Sequence, residues 1–174
     1  YDDIRKKHID HLRDLVNIDG LTELYNHRYF YDYLSEQVAV CEHKGLPLSL
    51  LFVDIDNFKY YNDIYGHQKG DEVLMTIATI MKTTLPSHAF IARYGGEEFA
   101  VILPDVSSAR ATLLIDELRQ SFSRLVFQSA SGDFSCTFSA GVAGWRPGVS
   151  DRALVSAADA ALYAAKGNGR NCVF

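Results

Sequence analysis

The stretch Arg93-Tyr94-Gly95-Gly96-Glu97-Glu98-Phe99 decides the fold, because a pair of glycines in it joins two apolar segments. Residues 90–92 before it are apolar, and residues 99–103 form a continuous apolar run, a pattern typical of a β-hairpin. We expect Gly95 and Gly96 to form a two-residue turn with positive φ angles, which glycine adopts without steric cost. The missing Cβ atoms would also let a phosphate or a metal ion approach the backbone, and the sequence does not separate these two uses.

Two acidic clusters accompany the hairpin. Glu97 and Glu98 follow the glycines directly, and Asp54 and Asp56 stand upstream at the end of the apolar residues 51–53. If the strand ending at Asp54 lies beside the hairpin, Asp54 and Glu97 form a patch of hard oxygen ligands of the kind that Mg²⁺ prefers, and magnesium implies phosphates. Taken alone, Glu97 and Glu98 have another interpretation as solvated acids at a hairpin tip.

The composition is that of a globular domain. The chain has 174 residues, of which 48% are hydrophobic and 22% charged, enough to bury one full core. Its net charge of −5 argues against a nucleic-acid partner, which would need a basic surface. No apolar stretch approaches the roughly twenty residues of a membrane span, and no secretory signal is visible. The three cysteines lack C-x-x-C spacing, which favours free thiols in a reducing cytoplasm over a zinc site: Cys41, Cys136 and Cys172.

The first eighteen residues have a helical pattern that ends at the turn residues 17–20. The chain begins at Tyr1 without a Met. We therefore expect residues 1–18 to be a helical linker from an upstream signalling region and residues 19–174 to be the globular domain. A heptad-like set is compatible with a coiled coil: Tyr1, Ile4, His8, His11, Leu15 and Ile18. A helix folded back on the domain is the alternative.

Helical and strand patterns alternate along the rest of the chain. Helices are expected at about 27–43, 56–64, 71–85, 107–122 and 151–166, and strands at 48–54, 89–92, 99–103, 135–142 and 171–174. We therefore expect an α+β fold, an α/β sandwich with a central mixed five-stranded sheet flanked by helices. In this scheme Asp71 lies in the first turn of its helix, where an acid interacts favourably with the helix dipole, and this alone would explain an Asp at this position.

The signature at residues 93–99 resembles that of the GGDEF domain, the diguanylate cyclase family. Other segments are similar to the family in the same order: Asp19-Gly20-Leu21-Thr22, Asp54-Ile55-Asp56-Asn57-Phe58-Lys59 with Asn62-Asp63, Gly66-His67 through Gly70-Asp71, and Ala161-Leu162-Tyr163-Ala164-Ala165-Lys166 through Gly169-Arg170-Asn171. The resemblance covers residues 19–174 and implies a sheet related to the palm of nucleotidyl cyclases and polymerases.

The resemblance implies an enzyme that condenses two GTP molecules into cyclic di-GMP and releases two pyrophosphates. Each chain would hold one GTP, and two chains would meet face to face as a homodimer, so that a lone monomer is inactive. Phosphoryl-type transfer relies mainly on positioning and on neutralising charge, which suits metal ions and Lys or Arg side chains. We expect an upstream sensory or regulatory domain, a cytoplasmic location, and neither nucleic-acid nor membrane contact by this fragment, even if the parent protein is membrane-anchored.

The same resemblance assigns the metal site. Asp54 and Glu97 look like ligands of Mg²⁺ or Mn²⁺, with the backbone carbonyl of Ile55 as a third oxygen. Glu97 stands where the family often has Asp, and it keeps a hard carboxylate. Glu98 and Lys59 complete the catalytic set implied by the family. The proton of the ribose 3′-hydroxyl would be taken by Glu97 or by a metal-bound hydroxide, and sequence does not choose between them.

Asn62 and Asp71 look like the residues that read guanine. The Watson–Crick edge of guanine offers an N1–H and an N2 amino donor, which a carboxylate accepts side by side, whereas adenine would leave that carboxylate unpaired. Unmatched buried polar groups can change selectivity by roughly 10⁴. Asp71 therefore favours GTP.

The remaining contacts implied by the resemblance fall into two groups. Apolar sides of the base pocket would come from Leu21, Phe58 and Leu74, and phosphate contacts from Lys59, Lys166 and Arg170. Backbone N–H groups at residues 57–59 would add to the phosphate contacts at a helix start. Without the family, the first group would be ordinary core residues, and Lys166 and Arg170 ordinary cations at a helix C-terminus.

One segment departs from the family. Many members carry an R-x-x-D element shortly before the signature that binds the product and inhibits the enzyme, but this chain has Pro86-Ser87-His88-Ala89. We therefore predict that the chain has no product-inhibition site of this kind. Two other interpretations compete with catalysis: an inactive module that binds GTP or cyclic di-GMP as a receptor or scaffold, and a purely structural dimerisation domain. The intact carboxylates and cations favour catalysis.

Overall fold

The computed structural model describes residues 2–174, apart from the side chains of residues 13–15. In this part of the chain the helices are α1 (Asp2–Asn17), α2 (His27–Lys44), α3 (Phe58–Tyr65), α4 (His67–Thr84), α5 (Ser108–Ser123) and α6 (Asp151–Gly167), and the strands are β1 (Tyr25–Asn26), β2 (Leu48–Ile55), β3 (Phe90–Arg93), β4 (Glu98–Pro104) and β5 (Phe138–Gly144). The strands form one sheet in the order β1-β3-β4-β2-β5.

The sheet is mixed, and β2 is one of its interior strands. β2 pairs antiparallel with β4 and with β5, β3 pairs antiparallel with β4, and the short β1 pairs parallel with β3. β2 is apolar along nearly its whole length because helices cover both of its faces. This arrangement confirms the predicted α+β sandwich with a mixed five-stranded sheet.

Two hydrophobic cores fill the space between the sheet and the helices. On one face Leu51 and Val53 of β2 pack in a cluster that includes Ile77 of α4 and residues of α5. On the other face Leu50 and Phe52 pack in a cluster with residues of α2 and α6. Burying one such side chain contributes about 1.5–3 kcal/mol, so the two cores fix the sheet from which the functional residues project.

The hairpin is present, but the prediction about its turn was wrong. β3 ends at Arg93 and β4 begins at Glu98, so residues 94–97 form the connection. Neither Gly95 nor Gly96 has a positive φ. The reason is that the N–H groups of Tyr94 and Gly95 both donate to the carbonyl of Glu98, at 2.8 and 3.0 Å, which closes a wider loop than a two-residue turn.

The fifth strand of the sheet is β1 and not the end of the chain, as the sequence had suggested. β1 has only two residues, too few for a visible alternation of polar and apolar residues. The closing residues do lie along β5, where Val173 forms a single bridge with Ala140. Backbone hydrogen bonds join these residues to β5 as far as Phe174, whose carbonyl accepts from the N–H of Val142 at 2.8 Å.

Other boundaries also differ from prediction. α4 begins at His67 and not at Asp71, and β5 begins at Phe138 and not at Ser135. Four apolar side chains of α1 are exposed: Ile4, Ile9, Leu12 and Val16. The heptad positions Tyr1 and Leu15 lie outside the described residues and side chains. None of the helices in the described part of the chain is both long and apolar enough to cross a bilayer.

Candidate functional site

The ends of β2 and β4 lie side by side and bring the two acidic clusters together. Asp54 is the antiparallel partner of Glu98, and the N–H of Ile55 donates a hydrogen bond to the carbonyl of Glu97 at 3.2 Å. We call these four residues, Asp54, Ile55, Glu97 and Glu98, the acidic strand end. Residues 43 positions apart in sequence therefore share one end of the sheet, as the pairing of β2 with the hairpin predicts.

The side chains of the acidic strand end point into two different surroundings. Asp54 accepts a hydrogen bond from Nζ of Lys166 in the last turn of α6, at 2.8 Å. Glu98 borders the same helix, in a depression that it shares with Asp159 and Lys166. Glu97 instead lines a cleft next to α3 and α4. The two signature glutamates thus serve different sides of the sheet end.

Asp54 is largely buried, with 13% of its side chain exposed. Burial is the largest influence on its carboxyl and raises the pKa above the usual value. The hydrogen bond and the charge of Lys166 lower the pKa, as does the charge of Arg170, but they do not offset the burial. The Asp54 carboxylate is therefore short of positive charge in the chain alone.

Glu98 also lacks enough nearby positive charge, and the effect on its pKa is larger. Burial, followed by the negative charges of Asp54, Asp159 and Glu97, raises the pKa of Glu98 to about 7, and the charge of Lys166 opposes the rise. Several negative charges thus act on Glu98, and the one positive charge that opposes them is that of Lys166. Such a surplus of negative charge on hard oxygen atoms fits a divalent cation.

The predicted metal ligands are compatible with such a cation. Within residues 2–174, leaving aside the side chains of 13–15, no three carboxylate, His or Cys side chains gather closely enough to enclose a metal by themselves. The predicted set needs only the carboxylates of Asp54 and Glu97 and the carbonyl of Ile55. These residues are neighbours in the paired strands, so they could supply oxygens to an ion that phosphates complete.

A cleft of about 400 Å³ opens beside Glu97. Five predicted nucleotide-binding residues line it: Phe58, Lys59, Asn62, Asp71 and Leu74. The predicted metal ligand Glu97 also lines it, together with residues that were not predicted to bind nucleotide: Asp63, His67, Arg93 and Gly96. Leu21 is not among the lining residues and packs against the hydrophobic core. Phe58 also touches that core, so its ring serves both the fold and the cleft.

Asn62 carries the most informative atom of the cleft. Its Oδ1 is buried and has no hydrogen-bond partner, which is true of no other buried side-chain polar atom in the described part of the chain. A Cβ added to Gly70 would lie 1.8 Å from this oxygen and 3.3 Å from Cζ of Phe58. Position 70 therefore requires glycine, because the Asn62 carboxamide packs against the backbone there. A buried acceptor left unpaired costs about 1–3 kcal/mol, which points to a ligand donor.

Asp71 lies in the second turn of α4, since that helix begins at His67. The interpretation of Asp71 as an acid in the first turn of its helix is therefore wrong. Its side chain lines the cleft together with Asn62. Asp71 and Asn62, whose amide oxygen lacks a hydrogen-bond partner, thus line the same cavity.

The three predicted phosphate-binding cations are distributed around the acidic strand end. Lys59 lines the cleft, and Lys166 bonds to Asp54. Arg170 is exposed, and its charge reaches Asp54, since it lowers the pKa of that carboxyl. Lys166 is thus more than an ordinary cation at a helix end, because it neutralises a specific carboxylate.

The residues near the site that sequence reasoning missed include Arg93 and Asp159. Arg93 lines the cleft and donates from Nη2 to the carbonyl of Gly96 at 2.9 Å, while its Nη1 reaches Asp19 at 3.4 Å. Asp159 adds negative charge at Glu98. An arginine two residues before the glycine pair was a usable signal for Arg93, whereas nothing in the sequence placed Asp159.

Fold and site together define a palm-like α+β domain with a nucleotide-sized cleft beside an acidic strand end. The sequence matches the profile of the family described as diguanylate cyclase, GGDEF domain, over residues 16–172. The chain therefore belongs to the GGDEF family, as the signature at residues 93–99 had indicated.

Known proteins agree with this assignment. The chain is 38% identical over 176 aligned positions to the response regulator PleD of Caulobacter vibrioides, an alignment that covers 99% of this chain and 39% of PleD. It thus spans about two fifths of the length of that relative. The coiled coil and GGDEF domain of DgcB from Caulobacter crescentus, solved in complex with c-di-GMP, has a TM-score of 0.92 and 36% identity, covering 98% of this chain and 91% of that one.

A third similar structure is the active GGEEF domain of a diguanylate cyclase from Vibrio cholerae. It has a TM-score of 0.80 and 36% identity, and the match covers 86% of this chain and 96% of that one. Its name shows that an active cyclase carries the same Gly-Gly-Glu-Glu-Phe signature as residues 95–99 of this chain.

Proposed function

We propose that this chain condenses two GTP molecules into cyclic di-GMP with release of two pyrophosphates. The observation that carries the proposal is that Asn62, whose buried Oδ1 has no hydrogen-bond partner, lines the same cleft as Asp71 and Glu97. The cleft thus offers acceptors for a base that carries several N–H donors, next to carboxylates suited to a metal and phosphates. GTP combines these features.

Guanine fits the acceptors better than adenine does. Its Watson–Crick edge presents the N1–H and the N2 amino group as donors, and Asp71 can accept both. Oδ1 of Asn62 can accept a further N–H donor, which would remove the cost of its burial. Adenine places an acceptor at N1, so the same carboxylate would face a lone pair, and a polar group left unmatched in this way discriminates strongly.

The acidic strand end and the three cations would hold the triphosphate. Asp54, Glu97 and the carbonyl of Ile55 would bind Mg²⁺ or Mn²⁺, which when bound neutralises charge on the phosphate oxygens. Lys59, Lys166 and Arg170 would add charge-assisted hydrogen bonds to those oxygens. Backbone N–H groups at the start of α3 are further donors there, since Phe58 begins that helix.

Activity would require two copies of the chain. Condensation joins two nucleotides, and the base-reading residues line one cleft in the described part of the chain. We therefore propose a homodimer in which the 3′-hydroxyl of one bound GTP attacks the α-phosphorus of the other, under the control of a sensory or regulatory domain upstream. The chain would work in the cytoplasm, where GTP is available.

The test is incubation of the purified protein with GTP and Mg²⁺, followed by measurement of pyrophosphate and cyclic di-GMP. Asp54→Asn and Glu97→Gln each remove charge with little change of shape, so each should lower turnover by at least about a hundred-fold while the thermal unfolding midpoint stays close to that of the wild type. Glu117→Gln, the same chemical change at an exposed position of α5, is the matched control.

The outcomes separate the competing functions. Formation of cyclic di-GMP that depends on Asp54 and Glu97 supports the cyclase. Tight binding of GTP or cyclic di-GMP without turnover would favour the receptor, and absence of both binding and turnover would leave a structural module. Full activity of either variant would overturn the metal assignment.

A further inference from the structure

The turn that follows α6 has an unusual backbone. Gly169, Arg170 and Asn171 have φ values of 99°, 62° and 47°, all in the left-handed region. Glycine adopts this region freely, but each other L-residue pays roughly 1–2 kcal/mol there. Arg170 and Asn171 therefore need support from outside the turn to hold this shape.

One support comes from Asp56, at the junction of β2 and α3. The N–H of Asn171 donates to Oδ2 of Asp56 at 3.0 Å. Asp56 is 3% exposed, and its two oxygens also accept from the hydroxyls of Thr137 and Ser139, both at 2.7 Å. A buried carboxylate with all these bonds cannot readily move, so it fixes Asn171 relative to the sheet.

The second support comes from Arg119 on α5. Nη1 of Arg119 donates to Oδ1 of Asn171 at 2.8 Å and to its carbonyl oxygen at 3.2 Å. Arg119 is itself held by Asp116, which accepts from Nε at 2.8 Å, and only 17% of its side chain is exposed. Asn171 is thus bonded through its N–H, its carbonyl and its side chain to Asp56 and Arg119.

Arg170 lies between this anchored residue and the end of α6. Its N–H donates to the carbonyl of Ala165 at 3.1 Å, and the next residue is Asn171. Its side chain is exposed, and its charge acts on Asp54. Neither Asp56 nor Arg119 lines the cleft. Their bonds to Asn171 therefore hold the backbone directly next to Arg170.

We infer that Asp56 and Arg119 are positioning residues for the phosphate contact of Arg170, acting as a clamp on the left-handed turn at 169–171. This inference rests on the proposed function, in which Arg170 binds the triphosphate. The clamp acts by fixing the position of Arg170 and does not contact the base. Its loss should therefore weaken binding of the phosphates and leave binding of the nucleoside unchanged.

The experiment compares equilibrium binding of 3′-deoxy-GTP, which cannot condense, with binding of guanosine, both in the presence of Mg²⁺. Arg119→Ala and Arg170→Ala should each weaken the binding of 3′-deoxy-GTP by about ten-fold, since each would lose a charge-assisted hydrogen bond to the phosphates. Guanosine affinity should stay the same in both variants. The double variant should bind no more weakly than Arg170→Ala alone, because both changes remove one interaction.

A rescue separates the clamp from a general structural role. Asn171→Gly should restore most of the lost affinity in the Arg119→Ala background, because glycine holds the left-handed conformation without support. If Arg119→Ala does not fold, Arg119→Lys, which keeps one donor, is measured in the same way and should give an intermediate loss.

Other results would overturn the inference or its basis. Wild-type affinity of the Arg119 variant for 3′-deoxy-GTP, or losses that add in the double variant, would exclude the clamp. If the wild-type protein binds 3′-deoxy-GTP no better than guanosine, the phosphate site of the proposed function fails first, and the clamp with it.

Discussion

Replacing Glu98 by Gln should make the protein more stable at pH 8 and should remove much of the dependence of stability on pH. Burial and the neighbouring acids raise the pKa of Glu98 from 4.5 to about 7. At a pH between these two pKa values, Glu98 is largely protonated in the folded state and largely ionised in the unfolded state. The free energy of unfolding of the wild type therefore falls as the pH rises from about 4.5 to 7, and then levels off.

The size of the effect follows from the same values. A rise of about 2.5 in pKa corresponds to about 3 kcal/mol at 1.36 kcal/mol per pKa unit. Glu98 is only partly buried, and solvent screening reduces this to about 1–3 kcal/mol. Gln is neutral at every pH, so Glu98→Gln should be more stable than the wild type by that amount at pH 8 and by less than about 1 kcal/mol at pH 5.

Urea unfolding of the wild type and of Glu98→Gln at pH 5 and pH 8 measures this difference directly. Glu117→Gln, on the exposed face of α5, controls for loss of a glutamate as such and should follow the wild type. Addition of Mg²⁺ at pH 8 should stabilise the wild type more than Glu98→Gln, because a cation offsets the crowded charge. Equal pH dependence in the wild type and in Glu98→Gln would refute the account of charge crowding at the acidic strand end.

Three further predictions concern the cleft and its regulation. Gly70→Ala should raise the KM for GTP by at least about ten-fold in a steady-state assay, because the new methyl group displaces the Asn62 carboxamide. The control is Gly20→Ala, which should leave the KM unchanged because a Cβ at Gly20 would meet no atom within 4 Å. Asp71→Ser should lower the preference for GTP over ATP, measured as the ratio of their kcat/KM values, by at least about ten-fold. If this ratio is unchanged, Asp71 does not read guanine. Cyclic di-GMP titrated into the turnover assay should leave initial rates unaltered, since residues 86–89 lack the charged pair; noncompetitive inhibition would count against this.

The sequence could predict the parts of the site that follow from strand pairing. The apolar run before Asp54 marks a strand covered on both faces, and the run from Phe99 marks the second arm of a hairpin. Once these strands pair, Asp54 and Glu98 become neighbours regardless of the details of the loops. This is why the meeting of the two acidic clusters could be predicted from the sequence.

The sequence could not predict features that depend on backbone conformation or on side chains from distant elements. The Gly-Gly pair fits a two-residue turn and a longer loop equally well, and only the shared carbonyl of Glu98 decides between them. The start of α4 at His67 moves Asp71 out of the first turn, although no capping residue marks that start. The bond between Arg119 and Asn171 joins residues 52 positions apart with no pattern to announce it.

The two glutamates of the signature have separate physical roles, because each serves a different side of the sheet end. Glu97 faces the cleft, where the proposed metal and nucleotide would share its charge. Glu98 faces α6 and is partly buried next to Asp54 and Asp159, so its charge acts on the folded state even without nucleotide. Loss of the Glu97 charge should therefore reduce turnover with little effect on stability, while loss of the Glu98 charge should change stability in a pH-dependent way. Turnover and the free energy of unfolding should therefore be measured for both Glu97→Gln and Glu98→Gln. The comparison distinguishes a carboxylate that acts by binding a ligand from one that is costly to ionise in the folded protein.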